Sequence, residues 1–548
     1  MQEDQVVARS AAMSGALAPA QPRSLTGQLA DIAARVSPLR LGLVQGLIAF
    51  ILSTIMLSLP ARQPGFQGVI NNANGPRAYR RLDLWIDNLG WVGAHMSRLG
   101  LNPDIFVWML RAAHLSLWLI QGIALVALVV QYLRNGSVGP LWRWAAGPVL
   151  TVSLLLLYPP LCADVFYYIT SGWVASTGAN PYSAPLRANF DAPLLALNDW
   201  GHIASPYGPV WTDICQTMVR IFGANFLTAV LSFRLLSITS GIVFIVLVYA
   251  LTRRLTGDRT IAMGAAIAVS WMPTLLFETA TGSHNDALMF DLALGGLLLM
   301  TSHRRGTTRL GLLLIAASAL LKYVTLPLLA FALLWRIADR KHGEPYKEII
   351  KRWALDGVAI LVLIVAAYGP YWDGTKMFTS ILAQPTRGVS SPFWLLPHAA
   401  TSAQWGESSA KSFDNIVGYL TIGLLVPVFV VTFVWLWRRM WEMDGARGES
   451  DCGATHDRRL LLQMQAWLVI TAYLSFFPVD THDWYAIWSI APMFIMLAWL
   501  TKRKLVEAQG EKVDIIPSWI ANIGPAKLCA IYLIWSCFNL MLYHTRVM

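Results

Sequence analysis

The sequence predicts an all-α protein that crosses a membrane many times, on three observations. Of its 548 residues, 56% are hydrophobic and only 13% charged, with a mean hydropathy of +0.51. A soluble chain carries roughly 25% charged residues, so lipid rather than water is expected around most of this one. Apolar runs of about 20 residues, the length that spans a bilayer, recur along the chain. The basic residues lie in short clusters between those runs. Topology signals are laid out in this way, which sets aside nucleic acid as the reason for the net charge of +11. The 24 Trp and 17 Tyr suit a protein anchored at two membrane interfaces.

Residues 1–38 are polar and rich in Ala and Ser, and read as a disordered cytoplasmic tail before a single membrane domain over 39–548. The first apolar run, 41–59, comes too late and runs too long for a cleaved signal peptide. Spans are expected near 41–59, 112–133, 141–159, 231–252, 260–278, 285–302, 354–371, 416–438, 460–478, 484–501 and 526–543. With the ambiguous stretch 310–335 the bundle holds about 11–13 transmembrane helices. That stretch is long for one helix and has Lys322 near its middle. Basic residues decide how it runs. Arg134 and Arg143, Arg253, Arg254 and Arg259, Arg304, Arg305 and Arg309, Arg438 and Arg439, and Lys502, Arg503 and Lys504 fall on the cytoplasmic side if the amino terminus does. The basic segment after Trp335 joins them only if 310–335 enters and leaves on that side. Two half-length helices meeting near Lys322 are therefore expected, a break that a bilayer tolerates where it lines a protein cavity.

The long connections 60–111, 160–230 and 372–415 then lie outside the cytoplasm, with short ones at 278–286 and 478–484. Segment 82–99 alternates apolar and polar faces and reads as an interfacial helix. In the second long connection, 164–177 has helical spacing, with Gly178 as its stop. Asn180-Pro181 forces an extended turn. Asp191-Ala-Pro193 reads as a second helix start, and Pro206-Tyr-Gly-Pro209 opens a third that ends near Gly223. These form a lid of extracytoplasmic juxtamembrane helices. Cys162 and Cys215 fall here, either as a disulfide or as two buried thiols; no cysteine pair has metal-site spacing.

Asp164 follows directly on an apolar run, and alone it would be a helix cap. Its company changes that reading. The connection at 278–286 offers Glu278, His284, Asn285 and Asp286 at the mouth of a span, with Gly282 permitting the turn. A later connection adds Asp480, His482 and Asp483, beside Trp484, Tyr485 and Trp488, which alone would be an aromatic belt. Arg234 lies just inside the fourth span and needs a partner or a phosphate. Acids, histidines and cations thus converge on one membrane face. Such a set suits a substrate with a lipid tail and a phosphate-linked head.

These motifs, in this order, resemble the GT-C membrane glycosyltransferases that use polyprenyl-phosphate sugars, above all the actinobacterial polyprenol-phosphomannose-dependent α-1,6-mannosyltransferases. The residues that carry the likeness are Asp164-Val-Phe-Tyr-Tyr168, Gly178-Ala-Asn-Pro-Tyr182, Pro206-Tyr-Gly-Pro209 and Gly282-Ser-His-Asn-Asp-Ala-Leu-Met289. Leu321-Lys-Tyr323 with Leu326-Pro327, and Trp484-Tyr485 with Trp488 and Pro492, complete it. The likeness covers roughly residues 140–500 and departs at Ser283 and Asn180, where glycine and aspartate are expected. It implies a GT-C-like bundle and inverting transfer of a sugar, most naturally mannose, to a glycan or glycolipid acceptor on the extracytoplasmic face of a bacterial plasma membrane.

In that chemistry one carboxylate takes the acceptor proton as its oxygen attacks the sugar C1, through an oxocarbenium-like transition state. Asp164 is the expected base and Asp286 the second candidate. Lys322, His482, Arg234 and Arg387 are the expected ligands of the donor phosphate. Glu278, His284, Asn285, Tyr168, Asn180, Tyr182, Tyr207, Asp483, Trp484 and Tyr485 are the expected sugar or acceptor contacts, with Trp173 able to stack on a sugar or guide the prenyl chain. Lys322 read without the resemblance is a structural ion pair with a neighbouring acid. No spacing demands a metal, and no cofactor or nucleic acid is expected. The other readings of this pattern are transfer of arabinose or aminoarabinose, and transport of a lipid-linked sugar.

Overall fold

The computed structural model describes residues 33–57, 75–96, 103–160, 162–189, 191–302, 304–339, 344–378, 392–445, 452–476 and 483–508. Among them there is no strand. The helices are α1 Pro38–Leu57, α2 Gly75–Asn88, α3 Trp91–Met96, α4 Pro103–Asn135, α5 Leu141–Leu155, α6 Asp164–Ser176, α7 Pro209–Phe222, α8 Phe226–Thr256 and α9 Arg259–Ser270. They continue with α10 Pro273–Phe277, α11 Asp286–Met300, α12 Arg305–Leu321, α13 Leu326–Ala338, α14 Tyr346–Tyr368, α15 Pro392–Trp405, α16 Glu407–Gly445, α17 Cys452–Phe476 and α18 Ile487–Ala508.

Length and composition suffice for a membrane crossing in α1, in 108–132 of α4, in α8 and in 408–442 of α16. The pair formed by α9 and 273–282, bent by 58° where Pro273 opens the second piece, is either a broken fifth crossing or a re-entrant loop. At the further spans expected at 141–159, 285–302, 354–371, 460–478 and 484–501 stand the helices α5, α11, α14, α17 and α18, which do not meet that length and composition for a crossing. The span expected at 526–543 and nearly all of the 1–38 tail lie outside the described residues.

The stretch 310–335 is broken. Lys322 takes an extended conformation (φ −147°, ψ 119°) between α12 and a single 3₁₀ turn at Tyr323–Thr325, and α13 starts beyond it. Pro327 sits in the first turn of α13, where its missing N–H has no partner to lose. The break frees carbonyls at the end of α12. The Leu321 carbonyl accepts from the Gly208 N–H at 3.0 Å. A side chain at Gly208 would overlap the Leu320 carbonyl oxygen, so only glycine lets the lid meet the broken helix.

The lid forms largely as its sequence implies. α6 ends at Ser176, Gly178 follows at φ +84°, and α7 runs from Pro209 to its Gly223 stop. Gly172 lies against the Cys215 backbone, which lets α6 and α7 pack closely. The helix expected to start at Asp191 does not form. Leu194 turns left-handed (φ 60°) and only a 3₁₀ turn at Leu195–Leu197 follows. The Leu197 carbonyl accepts from Arg81 of α2 at 2.5 Å instead of from a helical N–H, and Asp199 pairs with the same guanidinium at 2.6 Å. Segment 82–99 contributes α2 and α3, and α2 thereby fastens the lid. Cys162 and Cys215 are free thiols, which decides against the disulfide.

At the opposite end of α12 and α13, Asp356 accepts from Arg309 at 2.7 Å and Arg336 at 2.6 Å, while Asp339 accepts from Arg459 at 2.7 Å. Both half-helices are thus tied to α14 and α17. Midway along, Gly296 of α11 and Gly311 of α12 face each other so closely that a side chain on either would overlap the other's carbonyl oxygen. Gly311→Leu is expected to destabilise the detergent-solubilised protein by about 1–3 kcal/mol, read from its thermal unfolding midpoint. An unchanged midpoint would show that α11 and α12 do not pack there.

Candidate active site

The site forms where α6, the turn before α11, the break at Lys322 and the start of α18 meet. Asp164 is the first residue of α6, but Ala163 occupies the capping position, so Asp164 is not spent as a cap. Its Oδ2 lies 3.5 Å from Nδ1 of His284, and accepts from the Tyr207 hydroxyl at 3.3 Å and the Tyr168 hydroxyl at 3.5 Å. His284 Nε2 lies 3.1 Å from Glu278 Oε2 and 3.5 Å from the Cys162 thiol. All of these but Cys162 and Tyr207 are at least nine-tenths buried.

The local backbone explains how the histidine gets there. Glu278–Gly282 is a single π-helical turn, a wide turn common at functional sites. A side chain at Gly282 would run into both His284 and Glu278. Ser283 then turns left-handed (φ 56°), a strained conformation for a residue with a Cβ, and aims His284 back toward Glu278. Burial opposes charge on the imidazole, but Cys162, Asp164 and Glu278 outweigh it and raise its pKa well above the ordinary value. The imidazole sits between two carboxylates. Burial, reinforced by Asp164, raises the Tyr207 pKa well above the usual phenol range; burial, then Tyr207 and Asp164, do the same for Tyr168. Both stay neutral donors.

The second half of the site is an ion pair. Lys322 Nζ lies 2.7 Å from Asp286 Oδ1, and the same oxygen accepts from the Trp488 indole N–H at 2.5 Å. Around the ammonium stand the rings of Tyr485 at 5.1 Å, Trp488 at 5.3 Å and Tyr207 at 6.0 Å, with Tyr485 stacked on Trp488. Aromatic faces hold a cation in this way at low desolvation penalty. Asp286 is fully buried and committed to two donors, which speaks against it as the base. Asn285 occupies the cap position of α11 but does not cap, and neither atom of its buried amide has a partner.

Several expected contacts serve structure instead. Arg234 is fully buried: its guanidinium donates to the carbonyls of Leu156 and Tyr158 at 2.9 and 2.8 Å and lies 4.7 Å over Trp85. Those carbonyls take up its terminal nitrogens, while Nε has no partner among the described residues. Asn180 donates to the Tyr371 carbonyl at 2.7 Å and accepts from the Tyr182 N–H at 3.0 Å. The Tyr182 hydroxyl meets Thr212 at 2.7 Å. The Asn-Pro-Tyr motif thus clamps the lid to the 3₁₀ turn Gly369–Tyr371 that follows α14. His482 and Arg387 lie outside the described residues, as do the side chains of Asp483 and Trp484; Trp173 is half-buried against the core. Sequence reasoning missed Cys162 as a neighbour of His284, and Trp488 as the second donor to Asp286. Only the position of Trp488 beside the Trp-Tyr motif hinted at its role.

Removing one partner of a buried ion pair leaves the other charge stranded. Lys322→Met and Asp286→Asn are each expected to destabilise the protein by about 3–5 kcal/mol. In the double variant the losses should fall short of their sum by about 0.5–3 kcal/mol. Simple additivity in thermal unfolding would show that the two side chains are not paired.

Residues 88–338, just under half of the chain, match the sequence model of the MptA_B family, described as the α-(1→6)-mannopyranosyltransferase N-terminal domain. A probable α-(1→6)-mannopyranosyltransferase of Mycolicibacterium smegmatis is 25% identical over 388 residues, 64% of each chain, so this chain spans somewhat under two thirds of that relative. Similarity to α-(1→6)-mannopyranosyltransferase A of Mycobacterium tuberculosis is 22% over 453 residues, 79% of each chain. The Corynebacterium glutamicum enzyme of the same name is 27% identical over 156 residues, 28% of this chain and 31% of its own. No solved structure matches significantly. The matched stretch holds Asp164, Glu278, His284, Asp286 and Lys322, and over it the chain is similar to the actinobacterial α-(1→6)-mannopyranosyltransferases.

Proposed function

We propose that the chain is an inverting mannosyltransferase that moves mannose from a polyprenyl-phosphate donor onto a glycan or glycolipid acceptor, outside the cytoplasm of a bacterial cell. One observation carries this reading. Tyr207 touches both halves of the site, with its hydroxyl on Asp164 and its ring beside Lys322. A carboxylate and an ammonium thus face one space from two sides, as in-line displacement of a phosphate requires.

Asp164 takes the proton of the acceptor hydroxyl as that oxygen attacks C1. The C1–phosphate bond breaks and its electrons leave with the phosphate oxygen, so an α product by inversion calls for a β-linked donor. The leaving group is a phosphate monoester and needs positive charge rather than a strong acid. Lys322 supplies it, in a cleft poor in water where such a contact is strong. In the resting site Lys322 is paired with Asp286, and the Trp488 indole remains on Oδ1 of that carboxylate while a phosphate competes for the ammonium. His284 holds Asp164 ionised between substrates. The unpartnered Asn285 amide supports sugar hydroxyl recognition, since it can both donate and accept.

Purified protein in lipid should transfer label from polyprenyl-phosphate-mannose to a short α-mannoside. Asp164→Asn should lose about 10²-fold or more. An inactive parent would point to another sugar, arabinose or aminoarabinose first, while an unimpaired variant would remove Asp164 as the base. For orientation, a cysteine replacing exposed His202 should react with a membrane-impermeant maleimide in intact cells above the parent's own labelling, and one replacing exposed Arg304 should not. The reverse pattern would put the site in the cytoplasm.

A further inference from the structure

We infer that Cys162, Asp164 and His284 bind a zinc-class divalent cation, in the same place where Asp164 would act on an acceptor. The three residues come from two segments over a hundred positions apart, and each offers a donor atom within 4.8 Å of the other two. The thiol lies 3.5 Å from His284 Nε2, and Asp164 Oδ2 lies 3.5 Å from Nδ1. Two ligands bonded to one tetrahedral zinc ion at 2.0–2.3 Å stand about 3.5 Å apart. With Nε2 turned toward Glu278, Nδ1 is the nitrogen that can meet the ion; Asp164 already stands at ligand spacing from it, and rotation of the partly exposed Cys162 side chain brings the thiol onto the same ion.

A second observation is independent of the spacing. Ser283 holds its left-handed backbone immediately before the histidine, and Gly282 leaves room for nothing but the imidazole and Glu278. The imidazole is thus positioned by strained backbone rather than left to rotate. Glu278, 3.1 Å from it, provides the carboxylate partner that often stands behind a metal-bound histidine. The donor set also selects the metal. A thiolate with an imidazole and a single carboxylate favours zinc or its analogue cobalt, whereas magnesium and manganese favour oxygen-only sites. The ion would place its positive charge between the Asp164 and Glu278 carboxylates, and the proton displaced from the thiol goes to solvent.

The consequence for transfer rests on the reading of Asp164 as the base: an ion on its carboxylate removes the lone pair that accepts the acceptor's proton. Zinc is then an inhibitor of this site rather than a helper. Full-length protein in lipid nanodiscs, titrated with Co²⁺, should show thiolate-to-cobalt charge-transfer absorption that Zn²⁺ displaces and Mg²⁺ does not. Cys162→Ser should abolish the absorption, and His284→Gln should weaken Zn²⁺ affinity by at least about tenfold. Cys215→Ser, which alters a buried thiol elsewhere in the lid, should leave both unchanged. Absence of the absorption from the parent, or its survival in Cys162→Ser, would overturn the inference. Under saturating Zn²⁺, transfer should fall by about 10²-fold, matching loss of the base. Cobalt absorption that behaves as expected beside undiminished transfer would uphold the ion site and remove Asp164 as the base.

Discussion

The structure depends on one constraint: a lysine in the middle of an apolar helical hairpin has to be broken out of its helix and paired. An ammonium at bilayer depth is tolerated only with a counter-ion or polar surroundings. Lys322 takes the extended conformation that ends α12, and α13 restarts beyond it at Pro327. Asp286 then fixes where α11 begins, because its carboxylate has to reach the ammonium. Freed carbonyls at the end of α12 demand a donor, and the Gly208 N–H supplies it by bringing the lid down. Tyr207, next to that glycine, is carried over the ammonium and onto Asp164. One buried charge thus dictates a helix break, a helix start and the docking of a loop more than a hundred residues upstream.

The two ends of the half-helix pair handle charge in opposite ways. At one end Arg309, Arg336 and Arg459 are paired with Asp356 and Asp339, so the end is stapled. At the other a single carboxylate oxygen meets one ammonium and one indole, inside a cage of aromatic rings. The Asp286 carboxylate therefore keeps the indole as a partner whatever the ammonium meets. One pair of short helices thus carries a stapled end and, opposite it, a single caged ion pair.

The Asp164 cluster shows how two acids can sit close together in so apolar a place. The imidazole of His284 lies between Asp164 and Glu278 and separates the two carboxylates. Asp164 thus has no partner as tight as the one that ties up Asp286. The difference between two acids with similar surroundings in the sequence comes down to 2.7 Å from an ammonium against 3.5 Å from an imidazole.

Much of this was legible before any coordinates. Helix type follows from apolar run length, the break near Lys322 from the length of its apolar stretch and the basic residues around it, and α6 and α7 from Gly178 and Pro209, because these are local properties of the chain; of the 11–13 crossings expected, four, or five with the bent pair, have the length and composition for one among the described residues. The convergence of Asp164, Glu278, His284, Asp286 and Lys322 was also visible, since all lie at span ends expected on one face. What the chain alone left open is which polar group meets which. Arg234 and Asn180 looked like ligands because each is a polar residue in an apolar setting, yet both donate to carbonyls that fold beside them from distant segments. The helix expected at Asp191 was lost to Arg81, and Cys162 gained a role only through a histidine 122 positions away. Hydrogen bonds and ion pairs form between neighbours in space, and a polar residue's neighbours in space are set by packing, not by its own position along the chain.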